Sequence, residues 1–211
     1  MNVTERMLET AKPLLRERME GNMALLWRDF GNNRAELEDG FAVRLRELFG
    51  LAAAAQGSGR KGPVSFLHVA YLYSSLITGS HDFRLSLCDA GLHLDEAETA
   101  VYWPFKFMFA YIQKDMEDAE ALIKRHAAIR GAPAFHYREL GYWYSKAYLL
   151  MSAPFVREIV KGALARAGDG PREALVFSED FSVVFGGHME NTFEIYPEYK
   201  GPKEAEEGEA V

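Results

Sequence analysis

Cysteine is nearly absent: Cys88 is the only one in 211 residues. An intramolecular disulfide is therefore impossible, and a lone thiol fits a reducing compartment. Concentrated positive charge is missing as well. The formal net charge is −7, and the tightest basic cluster, Arg60-Lys61, is two residues long. Nucleic-acid backbones need a focused basic surface, so no nucleic-acid partner is expected. Long hydrophobic runs are lacking too. The longest nearly uncharged stretch, Thr99 to Gln113, is broken by Pro104 and Lys106 and falls short of the ~20 residues a membrane helix requires. The opening residues Met1-Asn2-Val3-Thr4-Glu5-Arg6 turn charged at once, without the apolar core of a signal peptide. The expectation is a cytoplasmic protein with no membrane partner.

Catalytic signatures are the next absence. The chain has no Gly-x-Ser-x-Gly nucleophile elbow and no Gly-x-Gly-x-x-Gly after a strand. The segment Gly57-Ser58-Gly59-Arg60-Lys61-Gly62-Pro63 is glycine-rich but lacks the Gly-Lys-Ser/Thr of a phosphate-binding loop, and Pro63 removes an N–H donor. Histidines at 68, 81, 93, 126, 136 and 188 show no spacing that places two ligands on one helical face. The dipeptide His81-Asp82 supplies too few ligands to hold a metal. Cys88, between Leu87 and Asp89 on the candidate strand, would need a nearby base and some exposure to act as a nucleophile; the sequence shows neither, and it reads as a small buried hydrophobe. No catalytic residue, metal ligand or cofactor is assigned. A non-enzyme is the first expectation, with the qualification that active sites assemble in space rather than in sequence.

Aromatic residues, by contrast, are plentiful. There are 14 phenylalanines, 10 tyrosines and 3 tryptophans, and more than half of them fall between Phe66 and Tyr148. Runs such as Tyr102-Trp103-Pro104-Phe105-Lys106-Phe107-Met108-Phe109 and Tyr142-Trp143-Tyr144 offer large apolar area with a few polar tips. Such runs suit a core, a pocket or an interface.

Apolar spacing predicts a helix from Val3 to Phe30 with a break or kink at Pro13, a stop at Gly31-Asn32-Asn33, and a second helix from Arg34 to about Ala55. Residues 56–62 read as a flexible linker. Pro63 then opens a helix to Thr78, and Phe83 to Cys88 alternates like a short strand. Asp95 with Glu98 resembles a capping box, predicting a helix onward to Arg130. Helices over Tyr137–Met151, apolar nearly all round, and Pro154–Ala167 follow. Three β-rich runs, Ala174–Phe177, Phe181–Phe185 and Thr192–Tyr196, predict a meander divided by Ser178-Glu179-Asp180 and Gly186-Gly187. Residues 200–211 are acidic, lack aromatics, and read as a disordered tail.

The fold class expected is α+β, predominantly helical, with about six helices in one body over residues 1–199 and a small antiparallel sheet from the C-terminal third. The first functional expectation is a binding or regulatory protein acting through aromatic-rich helical surfaces, as a homodimer or with a protein partner. The alternative is a small-molecule-binding module, with His68, Tyr71, Trp103 and Tyr144 on one pocket around a small apolar or aromatic ligand. Placing Pro63–Thr78 on a helix puts His68, Tyr71 and Ser75 on one face, which is what motivates that pocket. A third possibility is an enzyme whose site leaves no motif.

Overall fold

A computed structural model describes residues 3–126, 129, 131–167 and 173–196. The chain is α+β and predominantly helical, as its patterning predicts. Among the described residues there are five α-helices: α1 Val3–Gly57, α2 Tyr73–Thr78, α3 Ile112–Arg125, α4 Ala134–Met151 and α5 Ala153–Ala167. The strands are β1 Val64–Tyr71, β2 Asp82–Cys88, β3 Thr99–Pro104, β4 Phe177–Gly187 and β5 Thr192–Tyr196. By internal packing the chain divides into two compact units. Of the described residues, those within 3–33, 73–81 and 105–152 make one unit, and those within 34–72, 82–104 and 153–196 the other. The tail at 200–211 lies outside the described residues.

The second unit holds the sheet, ordered β3-β2-β1-β4-β5. It is mixed rather than purely antiparallel, because β1 runs parallel to β4 while the remaining pairs are antiparallel. Three of its strands come from before residue 105, so the C-terminal third supplies only β4 and β5. The register sorts side chains cleanly. Leu67, Val69 and Tyr71 of β1 share a face with Phe83, Leu85 and Leu87 of β2, Val101 and Trp103 of β3, and Val183 and Phe185 of β4. This face is dry. Phe41 of α1 meets Trp103 edge-on at 4.8 Å between ring centroids, and Phe49 meets Phe177 at 6.4 Å. Burying side chains of this size contributes about 1.5–3 kcal/mol each.

Helix α5 packs beside α1 through a charged seam. Buried Glu38 accepts from Arg34 Nε at 2.6 Å and from Arg166 Nε at 2.9 Å, and Arg34 also reaches Glu158 at 3.2 Å. Its carboxylate lies against Gly162, where an added Cβ would fall 2.1 Å from the Glu38 carboxyl carbon.

The helical unit contains the N-terminal part of α1, then α2, a 3-10 turn at Lys106–Phe109, α3 and α4. Met7, Ala11, Leu15, Leu26 and Phe30 form the buried stripe of α1, matching the spacing in the sequence. A polar knot is buried with them. Asp115 Oδ2 accepts from Asn22 Nδ2 at 2.6 Å and from the Tyr144 hydroxyl at 2.7 Å, and Tyr148 lies 3.0 Å from Asn22. Helix α4 is thus buried along Leu140, Tyr144 and Tyr148 but exposes Tyr142, Trp143 and Leu150, so it is not apolar-packed all round.

Several local expectations give way to longer-range pairing. Helix α1 runs through both Pro13 and Gly31-Asn32-Asn33. At the second site Asn33 Nδ2 donates to the Asp29 carbonyl at 2.8 Å, and Arg34 pairs with Glu38 one turn on. Residues 64–71, expected as helix, form the central strand, because pairing with both β2 and β4 outweighs helical spacing. Asp95 does bond downstream, to the Ala97 N–H at 2.8 Å, yet it opens a turn before β3 rather than a helix. Ser178-Glu179-Asp180 is no turn between strands. It is absorbed inside β4 as a register shift, Val64 facing Phe177 and Phe66 facing Ser182. Residues 56–62 are tied down by Gln56, whose side chain bonds Gly62 and both backbone groups of Val176 at 2.8–2.9 Å.

Gly162→Ala tests the α1–α5 seam. Alanine gains ~1 kcal/mol of helix propensity over glycine, but the clash with a pinned carboxylate should exceed it, for a net loss of about 1 kcal/mol or more. Urea denaturation measures the change. In an E38A background the clash is gone, and the same substitution should become stabilising.

Candidate functional site

The other face of the sheet is polar. Alternation along β2 puts Arg84, Ser86 and Cys88 on the side of β1 that carries His68, with Ser86 directly opposite His68. Val184 of β4 flanks His68 on the parallel side. A central strand has no free edge, so His68 is flanked on both sides by the cross-strand side chains Ser86 and Val184.

The connection between β2 and β3 covers this face. Its 3-10 turn Leu92–Leu94 carries His93, whose ring sits 5.2 Å from that of His68 in an edge-to-face arrangement. His93 Nε2 lies 3.0 Å from the Glu190 carbonyl in the β4–β5 turn. A carbonyl only accepts, so His93 carries a proton on Nε2. Because β2 and β3 lie to one side of β1 and the β4–β5 turn to the other, this contact spans the central strand. The cover is anchored at its far end by Lys61, whose ammonium meets Asp95 Oδ2 at 2.5 Å and the Ala97 carbonyl at 3.2 Å. Asp95 Oδ2 also accepts the Asp89 N–H at 2.9 Å. Both side chains are buried, so breaking the pair from one side would leave an uncompensated charge, at a cost of about 3–5 kcal/mol.

His68 is the anomaly. It is 0 % exposed, and among the described residues neither ring nitrogen has a hydrogen-bond partner. Buried polar groups are normally paired, and each unpaired one costs about 1–3 kcal/mol. Burial, with the charges of His93, His188 and Arg84, pushes its pKa down to about 4 against the pull of Glu98. At neutral pH the ring is uncharged, offering one N–H donor and one acceptor.

Around it lies a matched ion pair. Arg84 grips Glu98 through both guanidinium nitrogens, Nη2 donating to Oε2 at 2.6 Å. Burial would raise the Glu98 pKa, but hydrogen bonds from Arg84 and Ser86 prevail and hold the carboxyl below its usual range. The Cys88 thiol, 3.7 Å from Glu98, is pushed up to about 12 by burial first and by Glu98 and Asp95 next. A thiol so protonated is no nucleophile. His188, at the end of β4, is held below its ordinary value by desolvation and Arg84. Among the described residues, no group of three or more His, Cys, Asp or Glu is arranged to hold a metal ion.

The four residues anticipated as one pocket do not share a face. Three positions apart on a strand point to opposite sides, so His68 and Tyr71 diverge where a helix would have aligned them. Tyr71 and Trp103 occupy the dry face, against Phe185 and Phe41 respectively. Tyr144 belongs to the helical unit, where its hydroxyl is bonded to Asp115. The sequence assigns Arg84, Ser86 and Glu98 to a strand and a capping box, not to a site. The alternation Phe83-Arg84-Leu85-Ser86-Leu87-Cys88 was the available signal for the first two; Glu98 belongs to β3's approach and is linked only in space. Comparison with known protein families, with characterised proteins and with solved structures finds no match to this chain.

Two outcomes follow. The folded pKa of His68 lies below its ordinary value of 6.5, so the unfolded chain binds this proton first as pH falls. Stability contributed above pH 6.5 should therefore be lost progressively between pH 6.5 and about 4, by up to ~3 kcal/mol. His68→Leu should remove that slope and, by deleting unpaired polar atoms, stabilise the protein by about 1–3 kcal/mol at pH 7. Urea titrations across this range measure both. Cys88 should react with an aromatic disulfide reagent at pH 8 orders of magnitude more slowly in the native protein than in denaturant, and fast native labelling would contradict its burial.

Proposed function

We propose that this protein is a non-catalytic binding module for a small polar molecule, seated on the polar face of the sheet at His68 beneath the β2–β3 connection. One observation carries the reading: a fully buried imidazole with both nitrogens unpaired among the described residues. Such a group is expensive in the free protein and becomes favourable when a ligand supplies the missing donor and acceptor. The chemistry of the surroundings narrows the ligand. Arg84 and Glu98 neutralise one another, and His68 is neutral, so the site has little net charge to offer an ion. A compact uncharged molecule presenting a donor and an acceptor side by side, as a carboxamide or hydroxy-carbonyl does, complements it. Binding is favoured over catalysis because Cys88 is held protonated and Arg84 and Glu98 are engaged with each other.

A ligand-observed NMR screen of small amides and hydroxy-carbonyl compounds tests this, run in parallel on the wild-type chain and on His68→Leu. Compounds that bind the wild type and not the more stable variant are expected. Finding no binder, or binders indifferent to His68→Leu, would overturn the proposal. Such a variant trades binding for stability, as functional polar sites commonly do.

A further inference from the structure

The helical unit contains a separate cleft of about 710 Å³ between the first turns of α1, the helix α2 and one face of α4. That size falls in the ~300–1,000 Å³ range of small-molecule sites. Its apolar walls are Leu8, Leu76, Ile77 and Tyr142, and Ile77 is 79 % exposed. An isoleucine so bare at the lip of a cleft is costly to leave in water.

The cleft has two unlike ends. Arg138, Tyr142 and Ser145 lie along one face of α4 at helical spacing, so they line the trough in that order. Arg138 to Ser145 spans seven residues, ~10 Å at 1.5 Å per residue. At the Ser145 end the wall closes: Tyr73 meets Tyr142 at 6.1 Å between ring centroids, and Lys146 Nζ sits 4.5 Å above the Tyr73 ring. At the other end stands Arg138. It is exposed, and among the described residues it has no hydrogen-bond or ion-pair partner. Glu139 lines the same end of the cleft, and its Oε2 lies 3.4 Å from His136 Nδ1.

An apolar trough about 10 Å long, ending on an unpaired guanidinium, calls for an amphipathic anion. We propose that this cleft binds a free medium-chain carboxylate, its alkyl chain along Leu8, Leu76, Ile77 and Tyr142 and its carboxylate on Arg138. A planar guanidinium takes a carboxylate through two parallel hydrogen bonds, which fixes the direction in which the chain lies. The site is independent of His68.

Decanoate is the probe, with decanol as the uncharged control and decyltrimethylammonium as the cationic one. Calorimetric titration and the tyrosine ring resonances of the full chain report binding. Decanoate should bind with perturbation of Tyr142, and decanol about tenfold or more weakly, the loss expected when a charge-assisted pair is absent. Arg138→Glu should abolish the preference for decanoate over decanol. Ile77→Asp should weaken both, and Glu139→Gln should tighten decanoate alone. Arg138 and Ile77 are exposed, so these variants retain the fold, and His68→Leu should bind decanoate as the wild type does. Equal binding of all three probes, an unchanged affinity in Arg138→Glu, or no binding at all would overturn the proposal.

Discussion

Strand β1 is hydrogen-bonded along both edges, and that constraint orders the sheet-bearing unit. A strand so placed sends alternate side chains to opposite faces with no freedom to slip, since a one-residue shift would turn Leu67 and Val69 out of the core. The same rule that buries those residues on the apolar face forces His68 to the other face. There the β2–β3 connection, tied by Lys61 and Asp95, keeps water from it. The buried imidazole is therefore a consequence of packing on its opposite side. Shifting the strand to rescue His68 would cost several apolar side chains at about 1.5–3 kcal/mol each.

Charge at the site is arranged to cancel. Arg84 and Glu98 form a two-point pair, and the remaining groups, His68 and Cys88, are held neutral by burial. Sites that do acid–base chemistry near neutral pH commonly keep a group poised to titrate there. His68 lies well below that range and Cys88 well above it. Hydrogen-bond recognition of an uncharged molecule is what such a set of groups can perform. In the helical unit the pattern is reversed: a buried carboxylate, Asp115, is satisfied by Asn22 and Tyr144, whereas the surface cleft has a free guanidinium.

How much the sequence disclosed depended on the range of the deciding interaction. Helices α3, α4 and α5 and the buried stripe of α1 were legible because their spacing is local and their packing follows it. Strand β2 was legible through its alternation. Strands β1 and β3 were not, since Val64–Tyr71 and Thr99–Pro104 carry aromatic and small residues that fit either period, and pairing decided the outcome: β1 with β4 more than a hundred residues away, β3 with β2 across the intervening connection. His68 stands out in the sequence as a polar tip in an apolar run; helical spacing would align it with Tyr71 and Ser75, whereas strand β1 sets it beside Ser86 and Val184. Arg84, Glu98 and His93 meet it only through register and the reach of one connection, which no spacing rule encodes.

Nitrogen-15 NMR of the His68 ring, recorded as a function of pH on the full chain, is the decisive measurement of whether the imidazole is buried and unpaired. The ring should stay neutral throughout the physiological range, with a midpoint of about 4. A midpoint at the ordinary 6.5 would contradict it, because the ring would then be solvated or paired and the polar face of the sheet would hold no unsatisfied site.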